Sequence, residues 1–242
     1  MENLVIDIGN SSLKAAFADG CELKDIHRIE EKGSMTDTIV GLMENREISV
    51  IAISCVGEVE KGFFRELESR CNKLIVVTGD TPLQLINEYK NPEALGSDRF
   101  VAGYAANILF PDKDCMIFDF GTAITIDFIT ADGKFSGGNI SPGLKSRFRS
   151  LNDYTQKLPL VETPLLIPEK GRETIEAIQA GVILGLIFEI EGYMRMYPGY
   201  TTIFTGGDAN FFAGKTKNPI FVVCNLVLKG LAHIANSYDE NR

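Results

Sequence analysis

The stretch Cys115-Met116-Ile117-Phe118-Asp119-Phe120-Gly121-Thr122-Ala123-Ile124-Thr125-Ile126-Asp127 decides how the rest of the chain is read. It has the pattern of a buried strand, a tight glycine turn and a return strand. Asp119 and Asp127 bracket the turn, and Thr122 and Thr125 add hydroxyls. An aspartate at the end of an apolar strand costs on the order of several kcal/mol to bury unless something pairs with it. Such a cost is tolerated where a cation or a phosphate-bearing ligand will sit. An ordinary hairpin with Asp119 opening the turn is the competing reading, since Asp and Gly are favoured turn residues.

The N-terminus repeats the pattern. Ile6-Asp7-Ile8-Gly9-Asn10-Ser11 matches Phe118-Asp119-Phe120-Gly121-Thr122-Ala123 in kind: apolar, Asp, apolar, Gly, then small or polar residues. A repeat of this sort predicts two similar halves, each opening with strand, glycine turn and strand. Two such turns facing each other would hold a triphosphate and its metal.

Outward from these turns the chain alternates strand and helix. Asn3–Ile8, Leu13–Ala18 and Glu22–Ile29 predict an antiparallel meander. Lys14, on the second strand, could reach a phosphate or face solvent. Helices are expected over Thr36–Glu44 and Lys61–Cys71, and strands over Ser49–Val56 and Leu74–Val77, which together indicate an α/β domain with a mixed sheet. Thr81–Ala94 is polar, interrupted by Pro82 and Pro92, and reads as a loop. Gly96-Ser97-Asp98-Arg99 leads into a helix over Phe100–Leu109, which Ser97 or Asp98 can cap. The helix dipole favours an anion at that end, so Asp98 is expected to be a low-pKa carboxylate. Arg99 opposes the dipole there; its guanidinium could bind a carboxylate or phosphate over the helix end, or be solvated.

In the second half, Asp132-Gly133 signals a two-residue hairpin turn. A strand over Phe135–Ile140, a Pro142-Gly143 turn and a helix over Lys145–Leu158 follow, then an extended, proline-punctuated stretch over Leu160–Glu169. The longest helix is expected from Ile175 to about Met196. Its glycines, Gly181, Gly185 and Gly192, would let another helix approach, within the domain or from a second subunit. Thr201–Thr205 predicts a strand running into Gly206-Gly207, whose backbone N–H groups could meet a nucleotide or form a plain turn. Asn218–Cys224 and Leu226–Ser237 read as a short apolar strand or helix start and a closing helix.

Composition bounds the function. With 24 basic and 33 acidic residues, net charge −9, the surface argues against general nucleic-acid binding. No apolar run reaches the roughly 18 residues of a membrane span, and the first residues open a strand without the pattern of a leader. The cysteines at 21, 55, 71, 115 and 224 form no Cys-x-x-Cys pair, and Cys55, Cys115 and Cys224 read as core residues. A reducing cytoplasm fits such usage. Only His27 and His233 supply imidazoles, far apart in sequence, which argues against zinc chemistry and a histidine-based nucleophile. Neither a Gly-x-x-x-x-Gly-Lys-Ser/Thr loop nor a Gly-x-Gly-x-x-Gly fingerprint occurs, which removes P-loop kinases and Rossmann dehydrogenases.

Taken in order, the motifs resemble the type III pantothenate kinases of the actin-like, sugar-kinase and heat-shock ATPase superfamily. Asp7–Ser11 is similar to that family's first phosphate motif, Gly96–Arg99 to its Gly-x-Asp-Arg motif with Tyr89 before it, and Asp119–Asp127 to its central motif. Gly137–Gly143, Gly171–Ile178 and Thr205–Gly207 follow in the same order. Ser11 stands where threonine is common, and Glu173 where asparagine is common.

The resemblance implies an α/β fold of two actin-like (ribonuclease H-like) domains, 1–114 and 115–242, each a mixed sheet flanked by helices, with the active site between them. It implies ATP-dependent phosphorylation of the primary hydroxyl of pantothenate in the cytoplasm, the first step of coenzyme A biosynthesis. Asp98 would be the catalytic base, with Tyr89, Gly96, Arg99 and Thr174 binding substrate. Asp7, Gly9, Asn10, Ser11, Lys14, Thr122, Gly206 and Gly207 would bind ATP. Asp7 and Asp119 would hold Mg2+, directly or through water, and Asp127 a monovalent cation, K+ or NH4+. A homodimer is implied, Thr174 completing the neighbour's pantothenate pocket. A kinase for another small hydroxyl metabolite, and a non-catalytic nucleotide-binding regulator, are the alternatives.

Overall fold

The computed structural model describes residues 2–10, 12–29 and 34–240. The chain opens with β1 (Glu2–Ile8), β2 (Leu13–Asp19) and β3 (Glu22–Ile29), then α1 (Met35–Leu42), β4 (Ile48–Cys55), α2 (Phe63–Glu68) and β5 (Cys71–Val77). A short strand, β6 (Ile86–Asn87), and a 3-10 turn over Pro92–Ala94 precede α3 (Ser97–Leu109). The strand-turn-strand pattern then recurs as β7 (Cys115–Phe120), β8 (Ala123–Thr130) and β9 (Lys134–Pro142), followed by α4 (Leu144–Asp153) and α5 (Thr174–Met196). The chain closes with β10 (Thr201–Gly206), α6 (Ala209–Ala213), β11 (Phe221–Val222) and α7 (Leu226–Glu240).

The repeat predicted from two hexapeptides is a repeat of whole sheets. One sheet has the order β3-β2-β1-β4-β5 and the other β11-β10-β7-β8-β9-β6, so β9-β8-β7-β10-β11 retraces the first order, with β6 added at the edge. β1 is antiparallel to β2 and parallel to β4, which is parallel to β5. In the second sheet β10 is parallel to both β7 and β11. The mixed α/β architecture expected from the alternation is therefore present in both sheets.

Two compact units result: Met1–Asp112 with Ile129–Gly137 and Asn225–Arg242, and Lys113–Phe128 with Gly138–Cys224. In the first, Leu4, Ile6, Ile8, Leu13, Ala15 and Phe17 face one side of the sheet and pack on Ile39, Met43, Phe63 and Leu67 from α1 and α2. Strand alternation turns Val5 and Asp7 to the opposite side, where α7 packs on β1 and β4 and α3 packs on α7. The α3–α7 contact is too close for a side chain: a Cβ at Gly230 would stand 2.6 Å from the Val101 carbonyl oxygen. In the second unit Met116, Phe118, Phe120, Ile124 and Ile126 join Phe148, Ile183, Leu186 and Phe212 in one apolar cluster. Phe120 stacks on Phe212, and Phe204 meets both Phe118 and Phe120 edge-on.

Several boundaries differ from the sequence reading, each for a local reason. The turn between β8 and β9 takes in Ala131 as well as Asp132-Gly133, with Gly133 at φ +76 closing it through its N–H to Thr130. Residues 81–94, read as a loop, contribute β6, which gains partners because β9 runs alongside it. The helix expected over 61–71 stops at Glu68, since Cys71 is claimed by β5 pairing with Ile48 of β4. The helix expected over 145–158 ends at Asp153, and the segment read over 218–224 narrows to Phe221–Val222.

Candidate active site

In the first unit the site residues gather at the carboxyl ends of the parallel strands, where open α/β sheets bind their ligands. Asp7 stands one residue before the end of β1, with Lys14 of β2 and Ser54 of β4 as its register partners. It is half-buried, and its Oδ1 is shielded from solvent. Its charge adds to the burial that pushes the nearby Cys55 thiol up. The turn closes through the Gly9 N–H donating to Ser12 O at 3.1 Å, leaving Asn10 exposed. Gly57 packs against this turn: a Cβ there would meet Gly9 O at 3.3 Å. Ser11, also assigned to ATP, lies outside the described residues.

The start of α3 is tied to the same strand ends. Ser97 Oγ is 3.0 Å from Ser54 Oγ and accepts from Cys55 N at 3.0 Å. Neither Ser97 nor Asp98 is therefore the N-cap that was expected; Gly96 holds that position, and no side chain caps the helix. Asp98 lies just inside the first turn, its Oδ1 accepting from Arg99 N at 2.8 Å. Gly96 is glycine because a Cβ there would stand 2.6 Å from that same Oδ1. Burial pushes the Asp98 carboxyl above its ordinary range, and the Arg99 N–H and the Arg99 charge oppose this without cancelling it. The expected low-pKa carboxylate is thus corrected. A helix dipole supplies roughly 0.3–1 kcal/mol, whereas desolvating a carboxylate costs on the order of several.

Arg99 is buried, only 7% exposed, which removes the solvated reading. Its guanidinium carbon lies 5.8 Å from the Tyr89 ring centre and 5.9 Å from that of Phe135, both within cation–π range. The two rings meet edge-on at 6.3 Å, and the Tyr89 backbone is anchored through its N–H to Asn87 Oδ1.

In the second unit Asp119 stands one residue before the end of β7, the topological place of Asp7 in β1. Thr205 of β10 is its register partner. Gly206, at φ +89, lies so close that a Cβ would meet Asp119 Oδ1 and Phe120 O, each at 2.5 Å. Gly207 then donates to Phe120 O at 2.9 Å. Thr122 is exposed at the turn, with its carbonyl accepting from Gly143 N at 3.0 Å and Ser146 Oγ at 2.6 Å. Arg147 anchors this loop: it donates to Pro142 O and Ser141 Oγ and pairs with Glu189 of α5. Asp127, 1% exposed, lies on the sheet face away from Ile126 and Phe128, the face Asp119 shares by strand alternation.

Thr174 belongs to the second unit, on α5. It is exposed in the first turn of α5, beside an open groove of about 610 Å³ that Arg147, Ala177 and Gly181 also line. Glu173, not Thr174, is the N-cap, so capping does not explain the threonine. Another cavity, of about 680 Å³, lies at the start of β10 among Tyr197, Tyr200, Thr201 and Lys217, and holds none of the expected residues. Sequence reasoning missed Ser54, Phe135 and the Arg147–Glu189 pair, and read Ser97 as a cap where it instead binds the end of β4. Ser54, a lone hydroxyl in the apolar run Val50–Val56, was the one readable signal among them.

Among the described residues no group of three or more His, Cys, Asp or Glu side chains could cage a metal. Each unit instead offers one aspartate at the same strand end. A single carboxylate of this kind suits Mg2+, which keeps several waters and takes one or two carboxylates together with substrate phosphates.

Paired mixed sheets with a carboxylate–glycine hairpin at the same place in each define an actin-like phosphotransferase fold. Residues 3–196 match the family model of type III pantothenate kinase. A type III pantothenate kinase of Phocaeicola vulgatus is 40% identical over 242 residues, covering 98% of this chain and 99% of that protein. One from Bacteroides fragilis strain NCTC 9343 is 36% identical over 244 residues, covering 99% of each. A solved structure from Campylobacter jejuni, described as a Baf family transcriptional activator, superposes with a TM-score of 0.64 at 22% identity, covering 98% of this chain and 99% of that one. That likeness bears on the fold alone. The chain belongs to the type III pantothenate kinase family.

The raised Asp98 pKa has a measurable consequence. Below its unfolded value, near 3.8, Asp98 is protonated in both folded and unfolded chains and costs nothing. As pH rises above that value the folded protein loses stability relative to the unfolded chain, until the folded carboxyl ionises as well. Asp98→Asn keeps an oxygen for the Arg99 N–H and removes the charge. It should melt at a higher temperature than the parent at pH 7, with the gain gone at pH 3.5. Calorimetric scans at both pH values check this, and an equal or lower melting temperature at pH 7 would contradict it.

Proposed function

We propose that this chain carries out the family's reaction, ATP-dependent phosphorylation of pantothenate in coenzyme A biosynthesis, with Asp98 as the base. The observation that carries the assignment is Asp98 itself. It is a half-buried carboxylate with a raised pKa, clear of any cap, beside a buried cation within reach of two adjoining aromatic rings. A base whose pKa is lifted toward the operating pH accepts a proton with more driving force. Its partner is the primary hydroxyl of pantothenate as that oxygen approaches the γ-phosphorus. Phosphoryl transfer needs alignment and charge neutralisation above all.

Arg99 pairs with the pantothenate carboxylate, and Tyr89 and Phe135 hold its guanidinium in one orientation. The Asp7 turn, with Gly9, Asn10 and Ser11, meets the ATP phosphates, and Lys14 reaches them from β2. Thr122, Gly206 and Gly207 bind nucleotide from the second unit's hairpin. Asp7 and Asp119 hold Mg2+, which when bound neutralises charge on the transferring phosphates. Asp127 takes the monovalent cation. Five free cysteines, and the absence among the described residues of a helix able to cross a membrane, fit a cytoplasmic setting.

Features of α5 support a homodimer with shared sites. Cβ atoms built at Gly181, Gly185 and Gly192 meet nothing within 4 Å, so close packing inside the chain does not explain these glycines. Phe188, 64% exposed, interrupts the same helical stripe. A second copy covering this stripe would bury Phe188 and bring the exposed Thr174 toward the neighbour's substrate.

Asp98→Asn should keep ATP binding while kcat falls by roughly 100-fold or more, the scale of a lost general base. A coupled ADP-release assay with pantothenate reads it, and a kcat within about threefold of the parent would return Asp98 to a structural role. Initial rates at fixed ionic strength should be higher in potassium or ammonium chloride than in sodium chloride, with the difference lost in Asp127→Ala. Equal rates in the parent would leave Asp127 structural. Thr174→Ala should raise KM for pantothenate with little change for ATP, a loss of roughly 0.5–1.5 kcal/mol for one hydrogen bond. Mixing it with Asp98→Asn under subunit exchange should lift activity above the average of the two variants. An active monomer in sedimentation, or verified heterodimers without recovery, would refute the shared site.

A further inference from the structure

The fold joins two residues that are 212 positions apart: Cys21 Sγ lies 3.2 Å from His233 Nδ1. Cys21 is exposed, in the turn between β2 and β3, where Asp19 pairs with Glu22 and Gly20 takes φ +57. His233 is half-buried on α7, the helix that packs on β1, β4 and α3. Its ring is held below the usual imidazole range by burial first and by the Lys229 charge second, so at neutral pH it is uncharged. Tyr104 of α3 is also close; burial, with a smaller contribution from Cys21, pushes its phenol up. Nothing in the kinase reaction uses this pair.

We propose that Cys21 and His233 form a reactive thiol–imidazole dyad, a site at which a low-molecular-weight disulfide modifies the protein. A thiol is nucleophilic only as thiolate, and an adjacent base raises the thiolate fraction. His233 Nδ1 takes the Cys21 proton, and the Cys21 sulfur attacks one sulfur of the small disulfide. A bond forms between Cys21 Sγ and that sulfur as the disulfide's own S–S bond breaks. The electron pair leaves on the other half as a thiolate, which takes the proton back from His233. One thiol and one disulfide give one mixed disulfide and one thiol, so no further oxidant is required. Asp19 and Glu22 flank the turn with negative charge, which disfavours a thiolate there; Lys24 is paired with Asp19. The uncharged imidazole beside Cys21 can take its proton as the sulfur attacks.

Cys224 provides an internal reference, because it is exposed too. The intact protein is treated with limiting iodoacetamide at pH 7, and adducts at each cysteine are followed by peptide mass spectrometry. Cys21 should react at least about fivefold faster than Cys224. In His233→Asn, whose amide can keep a hydrogen bond near Nδ1 but cannot take the proton, and in His233→Gln, the Cys21 rate should fall to within about twofold of Cys224. Circular dichroism identifies any variant that has lost its fold, in which case the parent comparison alone decides. With the neutral probe bis(2-hydroxyethyl) disulfide, the mixed disulfide should form first at Cys21 and be absent there in Cys21→Ser. A Cys21 rate no higher than that of Cys224, an unchanged rate in folded His233 variants, or disulfide adducts forming equally at Cys224 would overturn the dyad.

Discussion

Holding a carboxylate at the end of a buried strand is the constraint on which the rest of this structure depends. Asp7 and Asp119 each stand one residue before a β-strand ends, in apolar strands whose neighbours are wholly buried. Everything near them is fitted to that placement. Gly9 turns the chain at once, Gly57 leaves room beside it, and Gly206 lies against the Asp119 carboxylate where no side chain could. The two hairpins recur at the same point of the same strand order, so one solution to the problem serves both units.

The second carboxylate of the first unit is managed differently. Asp98 is on a helix, not a strand, and its surroundings raise its pKa instead of stabilising its charge. The Ser54–Ser97 contact fixes the start of that helix to the strand beside Asp7, so the Asp7 turn and Asp98 share one frame. Arg99 is buried with its guanidinium within cation–π range of Tyr89 and Phe135, which limits the directions it can take. Stability is given up at Asp98 wherever its carboxyl is ionised, a pattern expected of a group retained for a task other than holding the fold together.

Much of this was legible in the sequence because it is written in local pattern. Apolar runs ending in Asp-x-Gly located β1 and β7, and the alternation of strands and helices gave the mixed sheets. The order of motifs carried the family. What was not legible is what depends on contact through space. Cys21 and His233, Ser54 and Ser97, and Arg99 with Phe135 are joined by the fold alone, and no spacing rule links them. The misjudged Asp98 pKa has the same origin. A helix start is visible in sequence and favours the anion; the burial that outweighs it is a property of the packed unit. The β8–β9 turn was misread more simply, since Asp132-Gly133 suits a short turn equally well with or without Ala131.

The strand order of the second half is complete at β11, yet the helix after it belongs to the first unit. α7 covers the face of β1 and β4 opposite α1 and α2, and Gly230 meets α3 at Val101. On a ribosome the five strands of the first sheet emerge early, but one side of that sheet stays uncovered until residues past Asn225 have been made. The first unit therefore cannot finish folding as it is synthesised, as an N-terminal domain ordinarily does. A chain that stops short of α7 exposes Val5, Ala16, Val50 and Ala52 on an open β-surface, a substrate for quality-control proteases and chaperones and not a half-active kinase. The crossing of α7 makes completion of the first unit, which carries Asp7 and Asp98, wait on residues synthesised after the second.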